Sequence, residues 1–468
     1  MSRTYIEFHK GLHGSGVVIS ITYNKSRVIC DFGAPYEPQS QVFDNTVRQR
    51  VENRVKDALT LGHTPAINGV YDRKDITGLD IIAAQDDETT TGIIISHLHL
   101  DHMANIDMVH PDINVYMLQD GYDLLQALID IEEEVHHRTY TPVQLHVAFQ
   151  INEITITPFF SDHPCLGACG YLIETPDKTI CYSGDIRFHG LQHERAYQEL
   201  ELLANKDIDL LLIDGTTYSK KEFIRTTDNQ FAMNVPTKEI PEQAIWEKDI
   251  YDQLAIKLRE SSKFGIFNIY HRDLQLIESL INVCDKTNRT IVFEPKTAYI
   301  IEKLLGIKVA VYDVDIDIQQ DYYSKLCNHK RVTSEDISLS PESYFIQNSY
   351  ENLMELLSLP TKQADYFHLF GLPLTPSEHN YQLLLNLLQR IQLNFHAYTN
   401  LYSFNHAYPG NLCYMIEKIS AKMVVAVHSR NPENLITNSG VHILPKENIL
   451  YRVEDNTLTE VEKRTNYD

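Results

Sequence analysis

Short runs of β-branched and apolar residues fill the first half of the chain, and longer periodic stretches fill the second. Gly16-Val17-Val18-Ile19-Ser20-Ile21-Thr22-Tyr23 and Ser26-Arg27-Val28-Ile29-Cys30-Asp31 are two such runs, separated by Asn24-Lys25, a hairpin turn signal. After an irregular polar stretch, Gly92-Ile93-Ile94-Ile95-Ser96 is continuously apolar, which predicts a strand buried on both faces. Ile154-Thr155-Ile156-Thr157, Tyr171-Leu172-Ile173-Glu174, Thr179-Ile180-Cys181-Tyr182 and Leu210-Leu211-Leu212-Ile213-Asp214 continue the series of short strands.

From about residue 215 the texture changes. A helix is predicted over 245–260, with Ile250, Leu254 and Leu258 on one stripe. Gly265-Ile266-Phe267-Asn268-Ile269-Tyr270 then reads as strand, and a helix comes next with Leu274, Ile277, Leu280, Ile281 and Cys284 on one face. Thr290-Ile291-Val292-Phe293-Glu294 is strand again, and 297–305 is helix. This alternation predicts a parallel α/β domain. A leucine-rich helix is expected over 379–393, and the chain returns to strand at Met423-Val424-Val425-Ala426-Val427-His428. The expected organisation is a first domain split into 1–214 and 396–468, with a second domain inserted over 215–395.

A chain of 468 residues exceeds what one core usually organises, so more than one domain is expected on length alone. The hydrophobic fraction of 43% and the charged fraction of 22% are those of a soluble globular protein and exclude disordered and fibrous classes. The 7 cysteines are scattered without paired spacing, against a disulfide framework or a structural zinc knuckle. Cys165 and Cys169 are read as buried thiols. No stretch approaches the roughly 20 apolar residues of a membrane span, and the N-terminus has no basic region followed by an apolar run; a cytoplasmic protein without membrane contact is expected. The net charge of −23 argues against affinity built on broad phosphate neutralisation.

The chemistry concentrates in Ser96-His97-Leu98-His99-Leu100-Asp101-His102. Three imidazoles and a carboxylate directly after a buried strand are poor core material but suit zinc, manganese or iron. A polar loop with chance histidines is the alternative. Asp162-His163-Pro164, Ser183-Gly184-Asp185 and His428 add donors, each at the end of a predicted strand, where an α/β sheet collects functional groups.

In this order, these residues together with Asp31-Phe32-Gly33 resemble the motifs of the metallo-β-lactamase superfamily. The chain beyond Asp185 is similar to its β-CASP branch, and within it to the ribonuclease J group. Asp214-Gly215-Thr216-Thr217 resembles the acidic motif before the inserted domain. Phe267-Asn268-Ile269-Tyr270-His271-Arg272-Asp273-Leu274-Gln275 resembles the opening of that insert, and Asn405-His406-Ala407 and Val427-His428 the last two motifs. The resemblance implies an αββα sandwich with an inserted parallel α/β domain. His97, His99 and His163 would hold one metal, and Asp101, His102 and His428 the second, with Asp185 bridging. His406 would donate a proton to, or stabilise, the leaving oxygen, and Asp214 would orient a ligand histidine. Asp101, Asp185, Asp214 and His406 are thus the expected catalytic residues. Two ions, zinc first and manganese second, would activate a water for phosphodiester hydrolysis. The implied substrate is single-stranded RNA, with DNA as an option, cut from a 5′ end or internally.

Several features depart from the group. Phe404-Asn405 stands before His406 where Ser-Gly is usual, and Ser429-Arg430 comes after His428 where Gly-Glu is usual. Asn348-Ser349-Tyr350-Glu351 and Gly371-Leu372-Pro373-Leu374-Thr375-Pro376 replace Gly/Ser-rich loops whose N–H groups cradle phosphate. About forty residues lie beyond His428, so no separate C-terminal domain is expected and no tetramer is carried over; a homodimer is one option. The rival readings are a hydrolase of a small phosphodiester or ester, and a non-catalytic β-CASP partner subunit. Filled positions for all seven ligands speak against the latter. His271-Arg272, His136-His137-Arg138 and Lys220-Lys221 are read as solvated helix ends, and Glu132-Glu133-Glu134 as an exposed helical face.

Overall fold

The Asn24-Lys25 turn closes a hairpin because Asn24 takes the left-handed conformation (φ 51) such turns require. It pairs Val18–Tyr23 with Ser26–Cys30 antiparallel, Ile19 opposite Cys30. Ser26–Cys30 in turn pairs in parallel with Thr90–Ile94. This computed structural model describes residues 3–36, 47–133, 138–219, 246–314, 320–362, 364–374, 376, 378–397, 405–435 and 437–461.

Among the described residues these strands belong to an eight-stranded sheet in the order Leu458–Glu460, Leu450–Val453, Thr4–Lys10, Val18–Tyr23, Ser26–Cys30, Thr90–Ile94, Asn114–Leu118, Tyr140–Val143. A second, seven-stranded sheet runs Val441–His442, Met423–Val427, Leu210–Asp214, Thr179–Tyr182, Cys169–Glu174, Ile154–Phe160, Phe149–Ile151. Ile6, Ile19, Val28 and Ile94 from the first sheet pack on Ile156, Tyr171, Ile180, Leu212 and Val425 from the second. Each such fully buried side chain stabilises the fold by about 1.5–3 kcal/mol. Helix Gln119–Asp130 covers the outer face of the first sheet through Leu124, Leu125 and Leu128. Helices His193–Leu203 and Pro409–Ile419 cover the second through Leu200, Leu203, Leu412 and Ile416. The continuous apolar run at 92–96 is explained: Ile93 faces the helix layer and Ile94 the layer between the sheets.

A third sheet has, among the described residues, six parallel strands in the order Ala310–Val311, Thr290–Phe293, Tyr344–Gln347, Gly265–Ile269, Asp365–Leu369, Asn394–Ala397. Helices Leu274–Thr287 and Pro295–Leu305 lie in the predicted places between its strands, and Glu247–Glu260 precedes the first of them. In sequence, all six strands fall between Leu210–Asp214 and Met423–Val427, which pair in parallel in the second sheet with Asp214 opposite Val427. The chain therefore leaves the second sheet and returns beside its point of departure. That return puts the residue after Val427, His428, next to Asp214. The predicted strand over 423–428 stops one residue early because His428 turns left-handed (φ 57), with its N–H donating to Gly11 O at 2.6 Å. The third sheet also joins the layer on the outer face of the first: Phe267, Phe293 and Tyr299 are continuous with Ile93 and Leu124.

Candidate metal centre

The ligand loop leaves the edge of strand Thr90–Ile94 and is fixed before any histidine is reached. Asp31, fully buried and left-handed (φ 56), accepts from Ser96 N at 2.7 Å and Ser96 Oγ at 2.8 Å. From this anchor the chain turns into the short helix Leu100–Met103, with His99 at its N-terminus. His97 and His99 thereby converge: His97 Nε2 lies 3.0 Å from His99 Nδ1, and His163 Nε2 lies 3.1 Å from the same atom. Asp185 arrives on Ser183-Gly184, where Gly184 is left-handed (φ +56) and a Cβ would stand 2.8 Å from Cys169 O. Its Oδ2 is 3.7 Å from His97 Nε2 and 3.9 Å from His163 Nε2, while Oδ1 is 3.3 Å from His102 Nε2.

On the far side of Asp185, His102 and His428 stack with centroids 5.3 Å apart, and His428 Nε2 is 2.9 Å from Asp101 Oδ2. His97, His99, His163 and Asp185 form one group whose ligand atoms lie within 4.8 Å of one another, and Asp101, His102 and His428 form another. Asp185, Asp214, His406 and His428 meet the same criterion. In that third set, however, Asp214 is already committed: it accepts from His406 Nδ1 at 2.8 Å, Thr216 Oγ1 at 2.7 Å and Ile186 N at 3.3 Å. Asp214 thus braces His406 directly and reaches His428 through Thr216, whose Oγ1 is 2.6 Å from His428 Nδ1. His406 is also tied to the Asp185 loop through Ala407 N, which donates to Ile186 O at 2.6 Å.

The back nitrogens of the rings decide what the front ones offer. His163 Nδ1 donates to Asn405 O at 3.0 Å, and His102 Nδ1 to Asp31 Oδ2 at 2.8 Å. A neutral ring held this way presents an unprotonated Nε2, the form that ligates a metal. Burial holds His97 and His163 well below the ordinary histidine range and His99 at about 4, so these three are neutral. Burial opposes charge on His102 and His428 too, but Asp185 and Asp101 outweigh it, with Asp31 adding to the effect on His102. His428 is raised to about 9 and His102 well above its usual value. Asp185, despite its burial, is held well below the carboxylate range, chiefly by His102, His428 and His406.

The donor set fits a pair of divalent ions. Three neutral imidazoles converge there; a shared proton can join only two of the three nitrogens at a time, whereas a cation between them would accept a lone pair from each. Their 3.0 and 3.1 Å separations approach the edge of about 3.3 Å expected around tetrahedral zinc. On the other side, protonated imidazoles occupy the place of positive charge against Asp101 and Asp185.

Every residue expected at the site from the sequence is therefore in this one cluster: His97, His99, Asp101, His102, His163, Asp185, Asp214, His406 and His428. Three weaker expectations are corrected. Arg272 is buried rather than solvated, and its Nη1 donates to Leu98 O at 2.8 Å. His271 meets Glu133 at 2.7 Å, so neither is part of a freely exposed face; both are drawn into the contact between the first and third sheets. Arg138 is half-buried and donates to the carbonyls of Ile106 and His110. His136, His137, Lys220 and Lys221 lie outside the described residues. Cys165 and Cys169 are buried thiols, as expected. The sequence did not disclose the anchoring roles of Asp31, Thr216 and Asn405 O, although all three residues belong to its motifs.

The family described as "Beta-lactamase superfamily domain" matches residues 78–245. Over those residues the chain is similar to a beta-lactamase superfamily domain, and its two facing sheets with helices on their outer faces make a mixed α/β fold. Endoribonuclease YSH1 of Gibberella zeae is 25% identical over 187 residues, 34% of this chain and 21% of that protein. Endoribonuclease ysh1 of Schizosaccharomyces pombe is 26% identical over 193 residues, 34% of this chain and 22% of that protein. The chain thus spans about a fifth of the length of these curated relatives. A crystal structure of a protein of unknown function from Enterococcus faecalis V583 superposes with a TM-score of 0.74 at 23% identity, covering 98% of this chain and 100% of that one. Among the described residues no helix is long and apolar enough to cross a membrane.

Proposed function

We propose that this chain is a metal-dependent phosphodiester hydrolase that cleaves single-stranded RNA. The observation that carries the reading is the convergence of two ligand sets on Asp185, with His406 braced at their edge by Asp214. His97, His99 and His163 would hold one ion, and Asp101, His102 and His428 the other, zinc or manganese, with Asp185 between them. When bound, such a pair lowers the pKa of a coordinated water and stabilises the attacking and departing oxygens of an in-line displacement.

The chain's own residues do the rest. Asp31 and Asn405 O hold His102 and His163 by their back nitrogens, so the donors are aimed before substrate arrives. His406 keeps Nδ1–H on Asp214, leaving Nε2 to deliver a proton to the departing alkoxide. At 18% its side chain is more exposed than those of its histidine neighbours His163 and His428, at 1% and 8%. Loss of that proton transfer should cost about 10²–10⁴ in rate. We read 215–395, in the manner of a β-CASP domain, as a cap between 1–214 and 396–468. The names of the curated relatives support an RNA substrate.

A second reading, hydrolysis of a small phosphodiester or ester, is favoured by one observation. Ser349 N and Oγ, in a loop where phosphate contacts would be sought, both donate to buried Glu294 at 2.8 and 2.6 Å. Those donors are already satisfied by a carboxylate. The test is cleavage of end-labelled single-stranded RNA, 5′-monophosphorylated or 5′-triphosphorylated, with zinc or manganese supplied. Cleavage lost in His97→Ala and His406→Ala is expected. Intact RNA in every lane, with metal shown to be bound and small phosphodiesters turned over, would overturn the RNA assignment in favour of the second reading.

A further inference from the structure

We propose that Arg272, contributed by the third sheet, is a positioning residue for the metal centre, and that docking of this sheet and metal binding are coupled through it. The proposal rests on the metal-dependent reading above. Arg272 lies three residues beyond strand Gly265–Ile269 and is buried. Its guanidinium donates to the carbonyl of Leu98, the residue between His97 and His99. Tyr270, in the same turn, lies with its ring 5.8 Å from that of His99 and 5.7 Å from the Arg272 guanidinium. The turn itself is closed by Asp273 N donating to Tyr270 O at 3.0 Å and by the Asp273 side chain capping Leu276 N at 2.9 Å. The His97–His99 segment is thus gripped on its backbone and on one ring by a single rigid turn of the third sheet.

A second buried arginine does the reverse. Arg187, two residues past Asp185, reaches Glu247 Oε2 at 2.8 Å and Gln275 Oε1 at 3.3 Å, both on helices of the third sheet, and lies 3.7 Å from Asp162 next to His163. The loops bearing His97, His99, His163 and Asp185 therefore share fixed contacts with the same helices and turn. Because a guanidinium is a planar fork of fixed donors, it sets the direction of Leu98 O as well as its distance. A coupling of this kind is reciprocal: whatever docking adds to metal affinity, metal adds to docking.

The experiment uses the full-length chain, stripped of metal and titrated with Zn²⁺ against a chromophoric chelator. A parallel Co²⁺ titration tracks the visible absorption of the bound ion. Arg272→Met is expected to weaken one Zn²⁺ by about 10–100-fold and to alter the Co²⁺ band, with Arg272→Lys intermediate. Glu133→Gln, which removes a peripheral contact of the same interface through His271 and leaves the Arg272–Leu98 bond in place, is expected to weaken Zn²⁺ far less than Arg272→Met does. Wild-type affinity and spectrum in Arg272→Met would overturn the assignment. So would equal weakening in Glu133→Gln, since loosening of the interface at large would then be the cause. Should Arg272→Met fail to fold by far-UV circular dichroism, Arg272→Lys carries the test, and an unaltered affinity and spectrum there would overturn it. A wild-type chain that takes up no Zn²⁺ would instead overturn the metal-dependent reading beneath it.

Discussion

Replacing Asp31 by asparagine isolates the one carboxylate on which the ligand loop hangs. Asp31 is fully buried, and its two oxygens serve four donors. Oδ1 takes Ser96 N, and Oδ2 takes Ser96 Oγ, His102 Nδ1 and the Tyr182 hydroxyl. Asparagine has the same shape and tolerates the left-handed backbone, so the change is confined to hydrogen bonding and charge. Its amide must face donors whichever way it turns. The cheaper orientation keeps oxygen at the three-donor position and sets NH₂ against Ser96 N–H, leaving a buried donor unsatisfied. Bonds to a charged acceptor contribute about 1.5–3 kcal/mol, and an orphaned buried donor costs about 1–3 kcal/mol. Asp31→Asn should therefore lower stability by about 2–4 kcal/mol, a large share of the roughly 5–15 kcal/mol of a typical protein.

Urea denaturation in the presence of a chelator measures that loss without metal. Chelator competition on the folded variant measures the accompanying weakening of zinc binding, expected at about 10–100-fold because His102 loses its fixed orientation. A variant within about 0.5 kcal/mol of wild type, below what an unmade buried bond costs, and with undiminished zinc affinity would refute the reasoning. Ser96 and His102 would then be held by something other than Asp31.

The remaining predictions probe other parts of the fold. His406→Ala should lose about 10²–10⁴ in turnover while retaining both ions; loss of an ion on metal analysis would place His406 among the ligands instead. Burial pushes the Glu294 carboxyl up to about 7 from 4.5, so the folded state holds a proton that the unfolded chain releases. Its contribution to stability therefore falls as pH rises from 4.5 to about 7 and stays low above that. Glu294→Gln should remove this fall, read as a smaller gap between urea midpoints at low and high pH; an unchanged gap would refute it. Gly184→Ala should cost about 2–4 kcal/mol by overpacking and left-handed strain, and a thermal melt matching wild type would contradict the tight approach to Cys169.

What could be read in the sequence was whatever is local. The hairpin, the strands that end at His97, Asp162, Asp185 and Asp214, and the helices of the third sheet announce themselves by period and turn residues over fewer than about twenty positions. Four strands of the third sheet escaped, two of them, Ala310–Val311 and Asn394–Ala397, at its edges, and the other two for a physical reason. Tyr344–Gln347 and Asp365–Leu369 carry polar residues at buried positions, which breaks the apolar run that would mark them. Those residues are buried because each finds a partner in the fold: Asp365 meets His396 at 3.0 Å, and His368 Nε2 meets Pro373 O at 2.9 Å. Partners of that kind are fixed only once the strands are laid side by side.

The metal ligands and the groups that hold them divide along the same line. His97, His99, Asp101 and His102 are visible because four donors in one loop have few other uses. Arg187 and Arg272 look like surface charge in the sequence, since an arginine is ordinarily solvated unless paired. Arg187 is paired with Glu247, 60 positions away, and no spacing rule connects the two. Arg272 is harder still, because its acceptor, 174 positions away, is a backbone carbonyl. Every residue has such a carbonyl, so no pattern of side chains can mark it. A charged residue that binds backbone is recognisable only from its burial, and this is why the grip of the third sheet on the ligand loop emerges from the structure alone.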